Sequence, residues 1–375
     1  MKQTQTRTWA EISLSNLEHN YRTLRAMLPH GCRFVGVVKA DAYGHGAVPV
    51  GQRLEALGAE YLAVACLDEA LELRQAGIKT PILILGYTPV ERAGALLEEN
   101  ITQTVYDLDT ARALSGLAEQ AGKSLKIHVK ADTGMSRLGW LCDKEHLAET
   151  VDTICQVCAL PGLTAEGIYT HFANADGDED YTMAQFTRFL DLLESLKARG
   201  VTFAIRHCAA SAAVLNYPCT YLDMVRPGIA LYGHYPDPSC EGLDGPGLRP
   251  VMTLKTRVAS VKDVPAGTPV SYGCTHVLER DTRLAALTIG YADGLPRLAS
   301  DRWQVEIHGQ RVPIVGRVCM DMCMVDVTGL DVMPGDEAEV FGEHVPVEEL
   351  ADLAGTIQYE LLCAVSPRVH REYRD

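Results

Sequence analysis

Short apolar runs alternate with amphipathic helical segments over residues 33–232. Eight runs of β-strand type lie at 33–40, 60–67, 81–86, 102–107, 125–131, 166–171, 203–208 and 224–232. The segments between them, such as 67–76 and 183–199, have the apolar spacing of a helix that buries one face. Each run is mostly apolar, as in strands buried on both faces, and eight parallel strands can close a barrel. The pattern therefore predicts a (β/α)8 TIM-type barrel.

The hydrophobic pattern changes after residue 232. Residues 234–250, HYPDPSCEGLDGPGLRP, are rich in proline and glycine and are predicted to be a linker. Beyond the linker, apolar runs follow one another with tight turns and little helix, at 254–261, 283–292, 305–309, 310–316, 322–328 and 337–342. We therefore predict the α/β class, with a barrel at residues 10–240 followed by a mainly-β C-terminal domain at 241–375.

Composition excludes several classes of protein. The formal net charge of −15 argues against a nucleic-acid-binding protein, whose domains normally present a basic face to phosphates. No run approaches the roughly 18 apolar residues that span a bilayer, and the first residues lack the apolar core of a secretory signal. We therefore expect a cytoplasmic protein with no membrane partner.

The 12 cysteines are scattered without a framework pattern and are expected to be reduced thiols. Cys155 and Cys158 form a CxxC motif, but the motif lies within a helical pattern, where this spacing puts two small apolar side chains on one face. Because no histidine-rich segment could complete a ligand set, we predict no metal site.

Polar residues and glycine fall where the predicted strands end, which is where barrel enzymes build their active sites. In chain order these residues are Lys39, Arg137, His171, Ser211, Arg226 and Gly228. Singly, each has a structural explanation: Lys39 can extend to the rim, and His171 can cap a strand. Ser211 opens a helical stretch whose amides can bind an anion. Together they predict a catalytic face with cations, a histidine and a phosphate site.

Eight motifs carry a resemblance to a known family. They are VVKADAYGHG (37–46), VKADTGMSRLGW (129–140), YTHFANAD (169–176), VRPGIALYG (225–233), VSYGCTH (270–276), IGYADGLPR (289–297), VGRVCMDMCMVDV (315–327) and TIQYELLCAVSPRV (356–369). Over essentially its whole length the sequence resembles the alanine racemase family. The resemblance implies a barrel plus a β-domain that also takes in a first strand at residues 1–9. It also implies a homodimer with shared active sites that racemises alanine with pyridoxal 5′-phosphate (PLP).

The resemblance also implies roles for individual residues. Lys39 would hold PLP covalently and act as one catalytic base, and Tyr272 of the other subunit would be the second. The positions that match phosphate contacts are Tyr43, Ser211, Gly228, Ile229 and Tyr359. Arg226 would face the pyridine nitrogen, with His171 orienting it; Arg137 and Met320 would lie near the substrate carboxylate, and Tyr291 at the entrance. Ala210 stands where many members carry a polar residue, so no hydrogen bond to the phosphate is expected from that side chain.

Lys130 lies at the end of the fifth predicted strand, a few residues before Arg137. Two buried cations in that setting would repel each other. We predict from the resemblance that Lys130 is carbamylated, so that its negative charge pairs with Arg137. The alternative is an unmodified lysine that points elsewhere.

Other functions remain open at this stage. The alternative within the family is a serine or broad small-amino-acid racemase. A serine racemase of the resistance type usually carries a membrane domain and has asparagine where Tyr359 stands. A fold-related amino-acid decarboxylase would lack VSYGCTH and VGRVCMDM, and a non-catalytic barrel-only protein would lack Tyr272. A nicotinamide cofactor is not indicated, because Gly44 and Gly46 lack the third glycine of a dinucleotide fingerprint.

Overall fold

The computed structural model describes residues 6–241 and 247–375. The strands are β1 (Thr8–Ser13), β2 (Arg33–Val37), β3 (Tyr61–Val64), β4 (Ile82–Ile84), β5 (Ile101–Val105), β6 (Leu125–Asp132), β7 (Trp140–Leu141), β8 (Leu163–Tyr169), β9 (Ile205–His207), β10 (Met224–Val225), β11 (Met252–Val264), β12 (Pro269–Val270), β13 (His276–Val277), β14 (Thr282–Leu287), β15 (Gln304–Ile307), β16 (Gln310–Pro313), β17 (Cys323–Asp326), β18 (Glu337–Phe341) and β19 (His370–Arg374). The helices are α1 (Leu14–Ala26), α2 (Lys39–Gly44), α3 (Ala47–Ala56), α4 (Leu67–Gln75), α5 (Gly94–Glu98), α6 (Leu108–Ala121), α7 (Leu147–Cys158), α8 (Glu179–Ala198), α9 (Ser211–Asn216), α10 (Val347–Ala354) and α11 (Gln358–Cys363).

Parallel strands between residues 33 and 225 form a nearly closed barrel. Their order is β10–β2–β3–β4–β5–β6–β8–β9. A parallel bridge between Ala210 and Arg226 joins the segments that follow β9 and β10. Strands such as β3 and β4 are buried at every position, because they pack inside the barrel on one face and against helices on the other. Each of the eight predicted runs overlaps one of these strands, so the predicted barrel is confirmed.

Most of the predicted strands end earlier than the apolar runs suggested, and two of these differences bear on the candidate site. Residues 226–232 leave the barrel as a loop and a short 3-10 turn, and β2 ends at Val37. After β2, α2 is left-handed, because Ala40, Asp41, Ala42, Tyr43 and Gly44 have φ between 52° and 81°. L-residues other than glycine rarely adopt this conformation, because their Cβ crowds the following carbonyl oxygen.

A carboxylate holds the left-handed turn to its neighbour. Glu69, on α4, accepts the backbone N–H of Ala40 and the backbone N–H of Ala65, each at 2.7 Å. The Glu69 side chain thus links the segments that follow β2 and β3, one residue from Lys39.

A second sheet has the order β16–β15–β18–β11–β1–β19, with β14 pairing to β11 and β17 to β14. Within it, β1 is antiparallel to β11 and parallel to β19. The family strand expected at residues 1–9 corresponds here to β1, and residues 1–5 lie outside the described residues. The sequence pattern indicated little helix in this region, and it did not predict α10 or α11.

Contacts divide the described chain into two units. The β-unit comprises the residues up to Asn16, Tyr43–Gly46 and the residues from Pro250 onward; the barrel unit comprises Leu17–Ala42 and Ala47–Arg249. The predicted domains, 10–240 and 241–375, stay a prediction. Their boundary falls in the predicted linker. Residues 242–246 of that linker lie outside the described part of the chain. Among the helices that the structure describes, none combines the length and the apolar character that crossing a bilayer requires.

Candidate active site

Arg226 follows β10 in the barrel unit and is 3% exposed. Its Nη1 donates to Nδ1 of His207 at 2.6 Å. Its Nη2 contacts the carbonyl oxygens of Thr170 and Cys208 at 3.0 and 3.2 Å and Nδ1 of His171 at 3.2 Å. None of these acceptors is a carboxylate, although a guanidinium is always charged. A buried cation that has only neutral partners is costly and is typical of a functional site.

His171 lies at the C-terminal end of the sixth barrel strand, directly after Thr170. Burial, and then the charge of Arg226, lowers the pKa of His171 well below its usual range, so the ring is neutral. Because arginine only donates, Nδ1 of His171 must accept, and Nε2 carries the ring proton. The charge of Lys39 also lowers this pKa, which indicates that Lys39 lies near His171 at the same end of the barrel.

Ser211 is the first residue of α9 and is 5% exposed. Its Oγ accepts the backbone N–H groups of Gly228 and Ala230 at 2.9 and 3.2 Å. Since both bonds use the oxygen as acceptor, the hydroxyl hydrogen remains to donate. Ala210 provides no side-chain cap, so the first N–H groups of α9 keep their donors for another acceptor. Ile229 begins the short turn that follows Gly228.

Lys130 is buried in the barrel, with Nζ 4.2 Å from the centre of the Tyr169 ring. Burial, and then the charges of Arg226 and Arg137, lowers the pKa of Lys130 well below its usual range. Burial and the two arginines therefore disfavour the charged form of the amine. Arg137 itself is exposed, at the end of a turn held by Asp132, whose Oδ1 accepts the N–H groups of residues 134–136 at 2.9–3.1 Å.

The β-unit carries two kinds of predicted site residue. Tyr43 is buried, which raises the pKa of its phenol, and its ring centre lies 6.1 Å from that of Tyr359. By contrast, Tyr272, Tyr291 and Met320 are 70%, 43% and 53% exposed. Large apolar side chains exposed to this extent mark a candidate interaction surface.

Asp293, which the sequence analysis missed, supports the loop that carries Tyr291. Its carboxylate is 1% exposed and pairs with Arg7 at 2.6 Å and with Arg368 at 2.8 Å. The same carboxylate accepts the backbone N–H of Gly290 at 2.9 Å. The sequence did contain a signal for this role. In IGYADG the aspartate stands directly before a glycine, and an aspartate in such a turn often accepts backbone N–H groups of its neighbours.

The predicted residues are therefore divided between the units. The barrel unit holds Lys39, Lys130, Arg137, His171, Ser211, Arg226, Gly228 and Ile229, and the β-unit holds Tyr43, Tyr272, Tyr291, Met320 and Tyr359.

Comparison with known proteins gives one consistent family. The family models for the N-terminal and C-terminal domains of alanine racemase match residues 12–236 and 251–373. A protein of Desulforamulus reducens named alanine racemase is 50% identical over 370 residues, which cover 97% of this chain and 98% of that protein.

Solved structures agree. Alanine racemase of Clostridium difficile 630 is 41% identical, with a TM-score of 0.93 over 98% of this chain and 96% of that one. Alanine racemase of Bartonella henselae, solved with covalently bound pyridoxal phosphate, is 31% identical, with a TM-score of 0.88 over 98% and 100%. The chain belongs to the alanine racemase family of isomerases.

Proposed function

We propose that this protein interconverts L-alanine and D-alanine with PLP held on Lys39. The observation that carries the proposal is the environment of Arg226, a buried permanent cation whose described partners are all neutral. The pyridine nitrogen of PLP is an uncharged hydrogen-bond acceptor, and the phosphate of PLP is an anion. Both groups suit a site that offers N–H donors and positive charge.

The donor set fits PLP at both ends. Ser211 keeps a hydroxyl hydrogen to donate, and α9 begins beside it with uncapped N–H groups, which together suit a phosphate. Arg226 supplies an N–H donor for the ring, and Lys39 supplies the amine that the aldehyde group requires. Tyr43 and Tyr359 are proposed as further phosphate contacts on the strength of the family resemblance.

When bound, PLP supplies an electron sink that makes the α-proton of an amino acid acidic. Lys39, released when the substrate amine takes its place on PLP, would take that proton from the D-form on one face, and Tyr272 would take it from the L-form on the other. Each direction of the reaction needs one group as base and the other as acid. Arg137 and Met320 are proposed to hold the substrate carboxylate, and Tyr291 to line the entrance.

Arg226 limits side reactions. A guanidinium can donate a hydrogen bond to the ring nitrogen but cannot give up its proton at neutral pH. The neutral ring of His171 accepts from Arg226 and cannot protonate the cofactor through it. We expect the proton to return to the α-carbon rather than be diverted to transamination.

A simple experiment tests this proposal. The purified protein should be yellow, should racemise L-alanine in a chiral assay, and after borohydride treatment should carry the label on the peptide that contains Lys39. The Lys39→Ala variant should lose the label, whereas Lys126→Ala, a control on an exposed barrel lysine, should keep it. A colourless protein that does not bind added PLP would refute the proposal.

We further propose a homodimer in which each site takes Tyr272 from the partner subunit. The high exposure of Tyr272, Tyr291 and Met320 supports this arrangement. Mixing inactive Lys39→Ala subunits with inactive Tyr272→Ala subunits should restore activity, because one site of each heterodimer then carries neither lesion. Persistent inactivity, with subunit exchange demonstrated independently, would rule out the shared site.

A further inference from the structure

A row of polar side chains runs through the barrel from Arg226. Beyond the Arg226–His207 bond, Nε2 of His207 lies 2.8 Å from Nδ1 of His128. Nε2 of His128 lies 3.6 Å from the carboxylate of Glu166. Both histidines are fully buried. This row, from Arg226 through His207 and His128 to Glu166, is called the relay below.

The chemistry of arginine determines every proton position in the relay. Arg226 can only donate, so Nδ1 of His207 must accept, and its ring proton lies on Nε2. That Nε2–H donates to Nδ1 of His128, whose own proton must therefore also lie on Nε2. The Nε2–H group of His128 thus lies 3.6 Å from the carboxylate of Glu166, too far for a hydrogen bond, and interacts with it as a dipole with a charge. Burial lowers the pKa of both histidines, so both rings are neutral.

Glu166 supplies the negative charge at the end of the relay. Its carboxylate accepts from Tyr61 at 2.5 Å and from Lys126 at 2.8 Å. Burial alone would raise the pKa of this carboxyl, but its hydrogen-bond donors outweigh burial and lower the pKa to about 2. Glu166 is therefore ionised and can only accept.

A bulge in the backbone of β8 places Glu166 beside His128. Along the β6–β8 pairing, Ile127 lies opposite Ala165 and His128 lies opposite Gly167, so Glu166 is the extra residue of a bulge. Bulges redirect a side chain and are frequent beside active sites. Gly167 leaves room for the imidazole, since a Cβ there would lie 2.6 Å from the ring of His128.

We propose that Glu166, near the N-terminal ends of the barrel strands, is a positioning residue for Arg226, acting through the neutral rings of His128 and His207. This inference rests on the proposed function at one point, namely that Arg226 contacts the cofactor. A glutamine would remove the negative charge that faces the Nε2–H group of His128, and a lysine would place a positive charge there. The alternative is that the two histidines merely fill the core.

The first test measures proton positions without any reaction. Nitrogen-15 NMR of the histidine-labelled protein, free of cofactor, should show the Nε2–H tautomer for both His128 and His207. In Glu166→Gln the tautomers should stay the same, because Arg226 fixes them, but the proton resonance of the His128 Nε2–H group should move upfield, because that group no longer faces a negative charge. Glu194→Gln, the same change at an exposed carboxylate on α8, is the matched control and should keep the wild-type spectrum. A wild-type proton on Nδ1 of either histidine, or an unchanged Nε2–H resonance of His128 in the Glu166→Gln variant, would overturn the proposal.

The second test is a double-mutant cycle on the loaded enzyme. Glu166→Gln should lower kcat by about tenfold with little change in KM, whereas the Glu194→Gln control should stay within about twofold. If Glu166 acts through His128, the same change made in a His128→Leu background should have no further effect. Additive losses would show independent structural roles and overturn the proposal. If both histidines show the expected tautomers but the protein does not racemise alanine, the proposed function is rejected and the proposal for Glu166 is retained.

Discussion

Replacing Glu69 with Gln should loosen the turn that carries Lys39. Four non-glycine residues, 40–43, have φ of 52–56°. Each costs about 1–2 kcal/mol in the left-handed region, so the turn is disfavoured by about 4–8 kcal/mol and depends on its contacts. Hydrogen bonds to a charged group contribute about 1.5–3 kcal/mol each, and the exposure of Ala40 and Ala65 favours the lower value.

The amide of glutamine can accept only one of the two backbone N–H groups in that geometry and presents its own N–H to the other. Glu69→Gln should therefore lose about 1.5 kcal/mol, which corresponds to about a tenfold fall in kcat/KM for alanine. Adding Ala40→Gly should recover about 1 kcal/mol, or about fivefold, because glycine adopts positive φ without strain. Glu72→Gln, an exposed site on the same helix, is the control and should stay within about twofold.

The assay is chiral detection of D-alanine, with borohydride labelling of Lys39 as an independent readout of the turn. If Glu69→Gln keeps full activity and labelling, the carboxylate does not hold the turn. A further loss of activity on adding Ala40→Gly would show that backbone strain is not what Glu69 offsets.

Three further predictions concern buried polar groups and the substrate side. Because its surroundings disfavour the charged form, the amine of Lys130 should add carbon dioxide and release one proton. Protein prepared with 13C-labelled bicarbonate should show a carbamate resonance that a Lys130→Ala variant lacks, and a spectrum without that resonance would favour the unmodified lysine. Tyr359→Asn should raise the serine-to-alanine ratio of kcat/KM by about tenfold, or about 1.4 kcal/mol, and an unchanged ratio would show that another residue sets the preference. His128, His171 and His207 have lowered pKa values in the folded state, so below the ordinary pKa of 6.5 the unfolded chain binds more protons and stability falls by up to about 1.4 kcal/mol per pH unit for each. Urea midpoints measured from pH 7 to 5 check this, and a flat profile would contradict it.

The sequence predicted the barrel because eight apolar runs of strand length recur between helical segments, and hydrophobic burial dominates both patterns. It did not predict where β2 ends, because Val38 and Ala40 continue the apolar character on either side of Lys39, whereas the backbone turns left-handed from Ala40 onward. That turn depends on a distant carboxylate, Glu69, which no local pattern reveals.

The relay was missed for a different reason. Polar residues at alternate positions of β6 (Lys126, His128, Lys130 and Asp132) are a signal, since a strand buried on both faces should be apolar throughout. The partners of those side chains come from other strands, and the bulge at Glu166 shifts the register by one residue. Register at a bulge is a tertiary property, so the pattern could indicate a polar barrel interior but not its connections.

The position of β1 has a consequence for the order in which the molecule folds. This strand lies between β11 and β19, so a segment that precedes the barrel in the chain pairs with segments that follow it. During synthesis the barrel unit, Leu17–Ala42 and Ala47–Arg249, is made well before β19 leaves the ribosome. We therefore expect the barrel to acquire structure first, while β1 is still unpaired, and the β-unit to form only after β19 has been made. A chain that stops short of His370 would leave one edge of β1 without its strand neighbour, which exposes that edge to pairing with other chains.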